Sequence, residues 1–158
     1  MSQAVSLSFP LAADGEEFIA AARASVSLQH PWASAPDTAE RYQAFLNRAA
    51  REDQGSYLMR HAECGSLIGY VNINNIVRGA LQSGFLGYAA FASHAGRGLM
   101  TAGLRAVVSD AFTSHGLHRL EANIQPDNHR SLRLVQGLGF RREGFSPRYL
   151  LINTFPIE

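Results

Sequence analysis

Ala95-Gly96-Arg97-Gly98-Leu99-Met100-Thr101 is the stretch on which the reading of this chain turns. An apolar, strand-like run from Gly84 to Phe91 leads into it. A helix-like run from Leu99 to Thr113 follows, with Leu104, Val107, Val108, Ala111 and Phe112 at helical spacing. Strand, tight glycine turn and helix, in that order, make an anion cradle. Glycines let the backbone approach a ligand, and the first free N–H groups of the helix point at negative charge. The plain alternative is a tight strand-to-helix connection that holds nothing.

Working outward, the chain reads as mixed α and β. Val5, Leu7 and Phe9 alternate with Ser6 and Ser8, which predicts a first strand. Asp14, Glu16 and Glu17 suit the start of a helix that carries Phe18, Ile19 and Ala22. Residues 27–37, polar and holding Pro31 and Pro36, read as a loop. Thr38 opens a second helix with Tyr42, Phe45, Leu46 and Ala49 as its apolar stripe. Ser56–Arg60 and Leu67–Ile76 read as a hairpin turning at Glu63–Ser66. His118 to Gln125 alternates again, with Leu120, Ala122 and Ile124 on one face. Pro126-Asp127-Asn128 stops that strand and caps a helix over Arg130–Gln136, ended by Gly137 and Gly139. Arg141 to Ile152 reads as a last strand region, broken by Pro147.

Length and composition bound the function. The 158 residues fit a single domain, 1–158, with one core. A formal net charge of +1 is no polyanion-binding signature, so no nucleic acid is expected as partner. No apolar run approaches the roughly 20 residues of a membrane span, and Met1–Pro10 has no signal-peptide pattern. Cys64 is the only cysteine, so an internal disulfide is impossible and a cytoplasmic location is the default. The six histidines show no metal-ligand pairing, so no metal is expected.

Two nucleotide readings of the glycine turn fall away. A dinucleotide fold wants G-x-G-x-x-G near the chain start, whereas this turn lies past mid-chain and has Thr101 three residues after Gly98. A phosphate loop of the Walker type needs Gly-Lys-Ser/Thr, which is absent. A pyrophosphate held mainly by backbone N–H groups remains.

Further along stand His118-Arg119-Leu120-Glu121-Ala122-Asn123, Gln125-Pro126-Asp127-Asn128, Ser131 and Leu138-Gly139-Phe140. Together with Asn74-Asn75-Ile76-Val77-Arg78-Gly79-Ala80, Gly87-Tyr88 and the glycine turn, they make the chain resemble the GNAT superfamily of acetyl-CoA-dependent N-acetyltransferases. Within it the chain is most similar to the Rim-type ribosomal-protein alanine N-acetyltransferases, densely from about Gly69 to Tyr149 and more loosely before.

The resemblance implies a GNAT fold of α/β type. Its central mixed, mostly antiparallel sheet is flanked by helices and splayed between two parallel strands, with acetyl-CoA in the gap. Carried over by position, Tyr88, Ala89 and Ala90 pair with the pantetheine arm. Gly96, Arg97, Gly98, Leu99, Met100 and Thr101 hold the pyrophosphate, and Asn128 contacts the cofactor arm. Ala95 stands where the family usually has Gln or Arg, so the turn must work by its backbone. Glu121 matches the glutamate that acts as base in related alanine acetyltransferases; its plain alternative is an ion pair with Arg119. Ser131 matches the serine proposed to assist the departing thiolate, and is otherwise a first-turn hydroxyl bonded to backbone. A tyrosine used by some relatives is Val135 here, and Tyr149 is a third choice of acid. Trp32, Asn72 and Asn74 are the acceptor-binding candidates, with a loop-packing aromatic and a polar sheet face as their plain alternatives.

The implied activity is acetyl transfer from acetyl-CoA to a primary amine, preferably the N-terminal α-amine of a ribosomal protein. A small amine, polyamine or amino-sugar acceptor is the alternative within the enzyme class. An acyl-CoA-binding or interaction module with little turnover is the alternative outside it. Relatives usually continue past the last strand, while this chain ends Thr154-Phe155-Pro156-Ile157-Glu158. A closing strand missing or shortened there would leave an edge that favours a homodimer.

Overall fold

The serine alternation at the start does form a strand, β1 (Val5–Ser8), paired antiparallel with β2 (Gly55–His61). Strand β2 pairs antiparallel with β3 (Leu67–Val77), and β3 with β4 (Ser83–Ala90). Strand β5 (Arg119–Ala122) lies parallel to β4, so the sheet order is β1-β2-β3-β4-β5. The computed structural model describes residues 4–147, 149, 151–152 and 155–156. They divide into two compact units, 1–123 and 124–158.

In the first unit, register sorts the sheet into two faces. Leu58, Tyr70 and Ala89 sit opposite one another across β2, β3 and β4. They are buried with Phe18 and Ala22 of α1 (Gly15–Ala24) and with Tyr42 and Phe45 of α3 (Ala39–Ala49). Phe18 is the hub, its ring centroid 5.0–5.4 Å from those of Tyr42, Phe45, Tyr70 and Phe91. Such aromatic pairs add about 0.5–1.5 kcal/mol each beyond the area they bury. Thr38 caps α3 by accepting from the Arg41 N–H at 3.1 Å, as a threonine before a helical stripe should.

The opposite face carries Tyr57, Met59 and Val71 and is covered by α4 (Leu99–Thr113), whose Leu104, Val107 and Ala111 are fully buried. Gly103 lets α4 approach: a side chain there would drive into the sulfur of Met59. A methyl at Gly69 would likewise come within 2.8 Å of Met100 Sδ. Most of the aromatic and aliphatic stripes read from the sequence are core, but Phe112 at the end of α4 and Phe9 just past β1 are exposed, being at the margins of their elements.

Three expectations are corrected. Residues 27–37 are not all loop: Val26–Gln29 make a single helical turn, α2. Four residues are too few for a periodic signal in the sequence. Strand β5 stops at Ala122 rather than Gln125, ahead of Pro126. In the second unit, residues 141–147 form no strand; Gly144 and Pro147 offer little to a ladder. Among the described residues, pairing resumes at β6 (Leu151–Ile152), antiparallel to β7 (Phe155–Pro156). Of the terminal stretch noted above, Thr154, Ile157 and Glu158 lie outside the described residues. The second unit also contains α5 (His129–Gly137), capped by Asn128 and followed by Gly139 at φ 94°.

Candidate active site

The site begins where β4 loses β5. The two strands pair from Ser83↔Arg119 to Leu86↔Ala122 and no further, while β4 stays paired with β3 through Ala90. The Phe91 N–H donates to the Ile68 carbonyl at 2.7 Å. Alternation along the strand therefore turns the backbone groups of Tyr88 and Ala90 away from β3, toward the side that β5 has left. Ala89, the third residue expected to line the cofactor, points its backbone at β3 instead: a Cβ added at Gly69 would come within 2.5 Å of its carbonyl oxygen. Ala89 contributes its buried side chain to the Phe18 core, not a backbone group to the gap.

Past Ala90 the chain makes a short 3-10 turn (Ala92–His94) and reaches the glycine turn. Gly96 (φ 79°) and Gly98 (φ 74°) both adopt the left-handed conformation, and a Cβ on either would meet nothing within 4 Å. The glycines are thus required for backbone shape, and the space beside them is open. Gly98 is the N-cap of α4 and no side chain caps that helix. The first turn, Leu99, Met100 and Thr101, holds no acidic residue. A fifteen-residue helix with uncapped N–H groups concentrates positive potential there. Arg97 is exposed beside it. His94 Nδ1, just before the turn, is buried with no hydrogen-bond partner. The donor set suits a pyrophosphate, and the open strand edge suits an arm that carries amides.

Glu121 stands opposite Phe85, which stands opposite Asn74. Register therefore puts Glu121, Asn74 and Asn72 on the face of Leu58, Tyr70 and Ala89. Ala33 and Ala35 of the loop that bears Trp32 pack against the same core. Four of the sequence candidates are thus brought to one face, with the α4 cradle rising from the other. Glu121 accepts from Arg119 Nε at 3.0 Å, the ion pair anticipated from their spacing. Asn72 accepts from Ser56 Oγ at 2.8 Å. Trp32 is half-buried.

Asn128 and Ser131 belong to the second unit. The Asn128 side-chain oxygen accepts from the Ser131 N–H at 3.3 Å, an N-cap bond. That oxygen is committed to the helix, which leaves the amide nitrogen of Asn128 for any other partner. Tyr149 is exposed.

Two features escaped the sequence reading. Gln29 and Ser25 are buried polar side chains, Gln29 bonded to Ala90 at the far end of β4 and Ser25 to Ala92 in the turn just past it. Neither sits in a recognisable motif. Below the α4 face, the Tyr57 hydroxyl donates to Asp110 and lies 2.8 Å from His115 Nε2. Burial, then the bond to Asp110, pushes the Tyr57 hydroxyl well above its usual range. Hydrogen bonds from Ser114 and Tyr57 hold Asp110 below the usual carboxylate range. Among the described residues no group of three or more His, Cys, Asp or Glu could hold a metal ion. No described helix is long and apolar enough to cross a membrane.

A splayed parallel pair, an open strand edge and a glycine turn before an uncapped helix define an acetyltransferase fold. The chain belongs to the GNAT family: the acetyltransferase (GNAT) domain model matches residues 7–141. It is 36% identical over 114 residues to the "probable N-acetyltransferase YjcK" of Bacillus subtilis (strain 168), covering 72% of this chain and 63% of that protein. It is 39% identical over 87 residues to the [ribosomal protein uS5]-alanine N-acetyltransferase of Escherichia coli (strain K12), covering 55% and 45%. The chain therefore spans less than two thirds of either relative. Mycobacterium smegmatis RimJ in complex with CoA-disulfide superposes with a TM-score of 0.87 at 25% identity, over 97% of this chain and 78% of that one. Vibrio cholerae spermidine N-acetyltransferase in complex with CoA and spermine has the same fold, with a TM-score of 0.78 at 18% identity over 96% and 89%.

Proposed function

We propose that this protein is an acetyl-CoA-dependent N-acetyltransferase whose preferred acceptor is a protein N-terminal α-amine. The observation that carries the first half is the continuity of the open β4 edge with the uncapped glycine turn. An extended arm running along Tyr88 can hydrogen-bond to the Ala90 N–H, and its pyrophosphate then meets Gly96–Thr101. In this reading the two units act as one domain, supported by a family match that runs across residues 123 and 124. Asn128 would add its amide nitrogen to the arm. The protein would work in the cytoplasm, where acetyl-CoA and ribosomal proteins meet.

Acetyl-CoA supplies an activated thioester. The acceptor must arrive as a free amine, so its ammonium proton has to leave before attack. Glu121, on the face that bears Trp32, Asn72 and Asn74, takes that proton through water. The N–C bond forms, the nitrogen gives up its second proton as the tetrahedral intermediate collapses, and the C–S bond breaks to release a thiol that takes up that proton through water. The Ser131 hydroxyl stabilises the developing thiolate by hydrogen bonding rather than as a strong acid. Pre-positioned proton transfer of this kind contributes about 10²–10⁴-fold.

The charge of the acceptor face favours a peptide over a polyamine. Asp37, the one carboxylate in the loop 30–38, is held by Arg41 Nη1 at 2.6 Å. Asn72 and Asn74 are neutral. A polycation would want unpaired carboxylates; a main chain wants amides. The test is thiol release from acetyl-CoA across a panel of N-terminal alanine and serine peptides, spermidine and an aminoglycoside. Turnover on peptides supports the reading. Turnover confined to spermidine or the aminoglycoside overturns the acceptor. CoA binding with no thiol release on any amine reduces the protein to a binding module.

A further inference from the structure

Gln29 is a buried polar side chain that the chemistry above leaves unused. It is 6% exposed at the end of α2, and its Nε2 donates to the Ala90 carbonyl at 3.0 Å. Ala90 turns its backbone toward the side that β5 has left, so this bond lies on the open edge of β4. Ser25, 1% exposed, makes a second tie: its Oγ donates to the Ala21 carbonyl at 2.6 Å and accepts from the Ala92 N–H at 2.9 Å. On its other side, the Gln29 carbonyl accepts from the N–H groups of Trp32 at 2.8 Å and Ala33 at 2.9 Å. One residue thus joins the strand edge that would carry the pantetheine arm to the backbone of the loop that would meet the acceptor.

We propose that Gln29 is a positioning residue that couples occupancy of the β4 edge to the Trp32 loop, so that bound CoA sets the acceptor side of the site. The proposal rests on the CoA reading given above. The Ala90 carbonyl is already taken, so the arm uses the Ala90 N–H and leaves the Gln29 bond in place. An arm that orders β4 there also orders Gln29, and through its carbonyl the start of the loop. The side-chain amide holds one geometry, because leaving the buried Gln29 amide unpaired costs about 1–3 kcal/mol. Side-chain packing alone would fix α2 without transmitting what happens on β4.

Trp32 is the only tryptophan, so its emission reports on this loop. CoA is titrated into the full chain as wild type and as Gln29→Leu, with binding followed by calorimetry and folding by circular dichroism. The wild type is expected to change its Trp32 emission as CoA binds. Gln29→Leu is expected to bind CoA within about threefold of wild type, to lose most of the emission change, and to raise KM for the acceptor amine about tenfold, or ~1.4 kcal/mol. Should Gln29→Leu not fold, Gln29→Met, unbranched and adaptable, carries the same expectations. Ser25→Ala, which cuts only the second tie, should lose part of the response. A variant that keeps the full emission change and the wild-type acceptor KM overturns the coupling and leaves the CoA reading intact. So does a wild type that binds CoA without any change at Trp32. A wild type that gives no heat with CoA overturns both.

Discussion

Glu121 and Asn128 each already have a structural partner, and their functional roles can be separated from it by choice of substitution. Glu121→Gln keeps the size of the side chain and removes the base. Turnover should fall about 100-fold if Glu121 takes the ammonium proton through water. The exposed pair with Arg119 is worth about 1 kcal/mol at most, so the melting temperature should barely move. An unchanged kcat would assign Glu121 to the ion pair alone. For Asn128, aspartate is an equally good cap but lacks the amide donor. Asn128→Asp should therefore keep stability and weaken acetyl-CoA binding, whereas Asn128→Ala loses both, about 1 kcal/mol of it from the cap. Equal acetyl-CoA affinity in all three proteins would confine Asn128 to capping. At this scale the sequence was legible where a residue has a local job. Thr38 and Asn128 cap the helices that follow them, as their positions before apolar stripes announce. Gln29 and Ser25 were illegible because their partners, Ala90 and Ala92, are remote in the chain and offer only backbone.

The elements that make the cradle are β4, the glycine turn and α4. Gly98 at φ 74° is a position where any L side chain is strained by about 1–2 kcal/mol. Gly98→Ala should re-aim the first turn of α4 and weaken acetyl-CoA binding about tenfold, read by calorimetry; unchanged affinity would place the pyrophosphate elsewhere. The far end of α4 is held to β2 through Asp110 and Tyr57. The Asp110 carboxyl is lowered in the folded state by the Ser114 and Tyr57 hydrogen bonds. A depressed carboxyl stabilises the fold fully above its unfolded value, about 3.9, and that contribution is lost as pH falls through the folded value. Asp110→Asn should therefore lower the melting temperature at pH 6 and flatten its fall toward pH 3. A variant whose acid limb parallels wild type would contradict this. Long elements such as α4 and β3 were legible from period and punctuation. The short α2 was not, and β5 ended earlier than its alternation implied, because the sequence pattern does not encode where a parallel pair separates.

Across the whole molecule, the first unit sorts its chemistry by face. Phe18 and its aromatic neighbours lock α1 and α3 onto the side that carries Glu121, Asn72 and Asn74, while α4 brings the cradle from the other. The edge of β4 is where the two meet. The resemblance anticipated the parting of two parallel strands and the glycine turn beside it, but not which side chains share a face, which the register across β2 to β5 decides. It could not anticipate which backbone groups face the gap: Ala89 does not, and the Ala90 carbonyl is engaged by Gln29. The acceptor is the least legible feature, since in the proposed reading it would be met by a loop and by neutral asparagines that carry no motif. The most direct measurement is mass spectrometry of an amine incubated with the protein and acetyl-CoA, with thiol release followed in parallel. One acetyl group should be gained per thiol released, on the N-terminus of the peptide and only with protein present. Acetyl-CoA bound but hydrolysed without acetylated amine, or not bound at all, would contradict it.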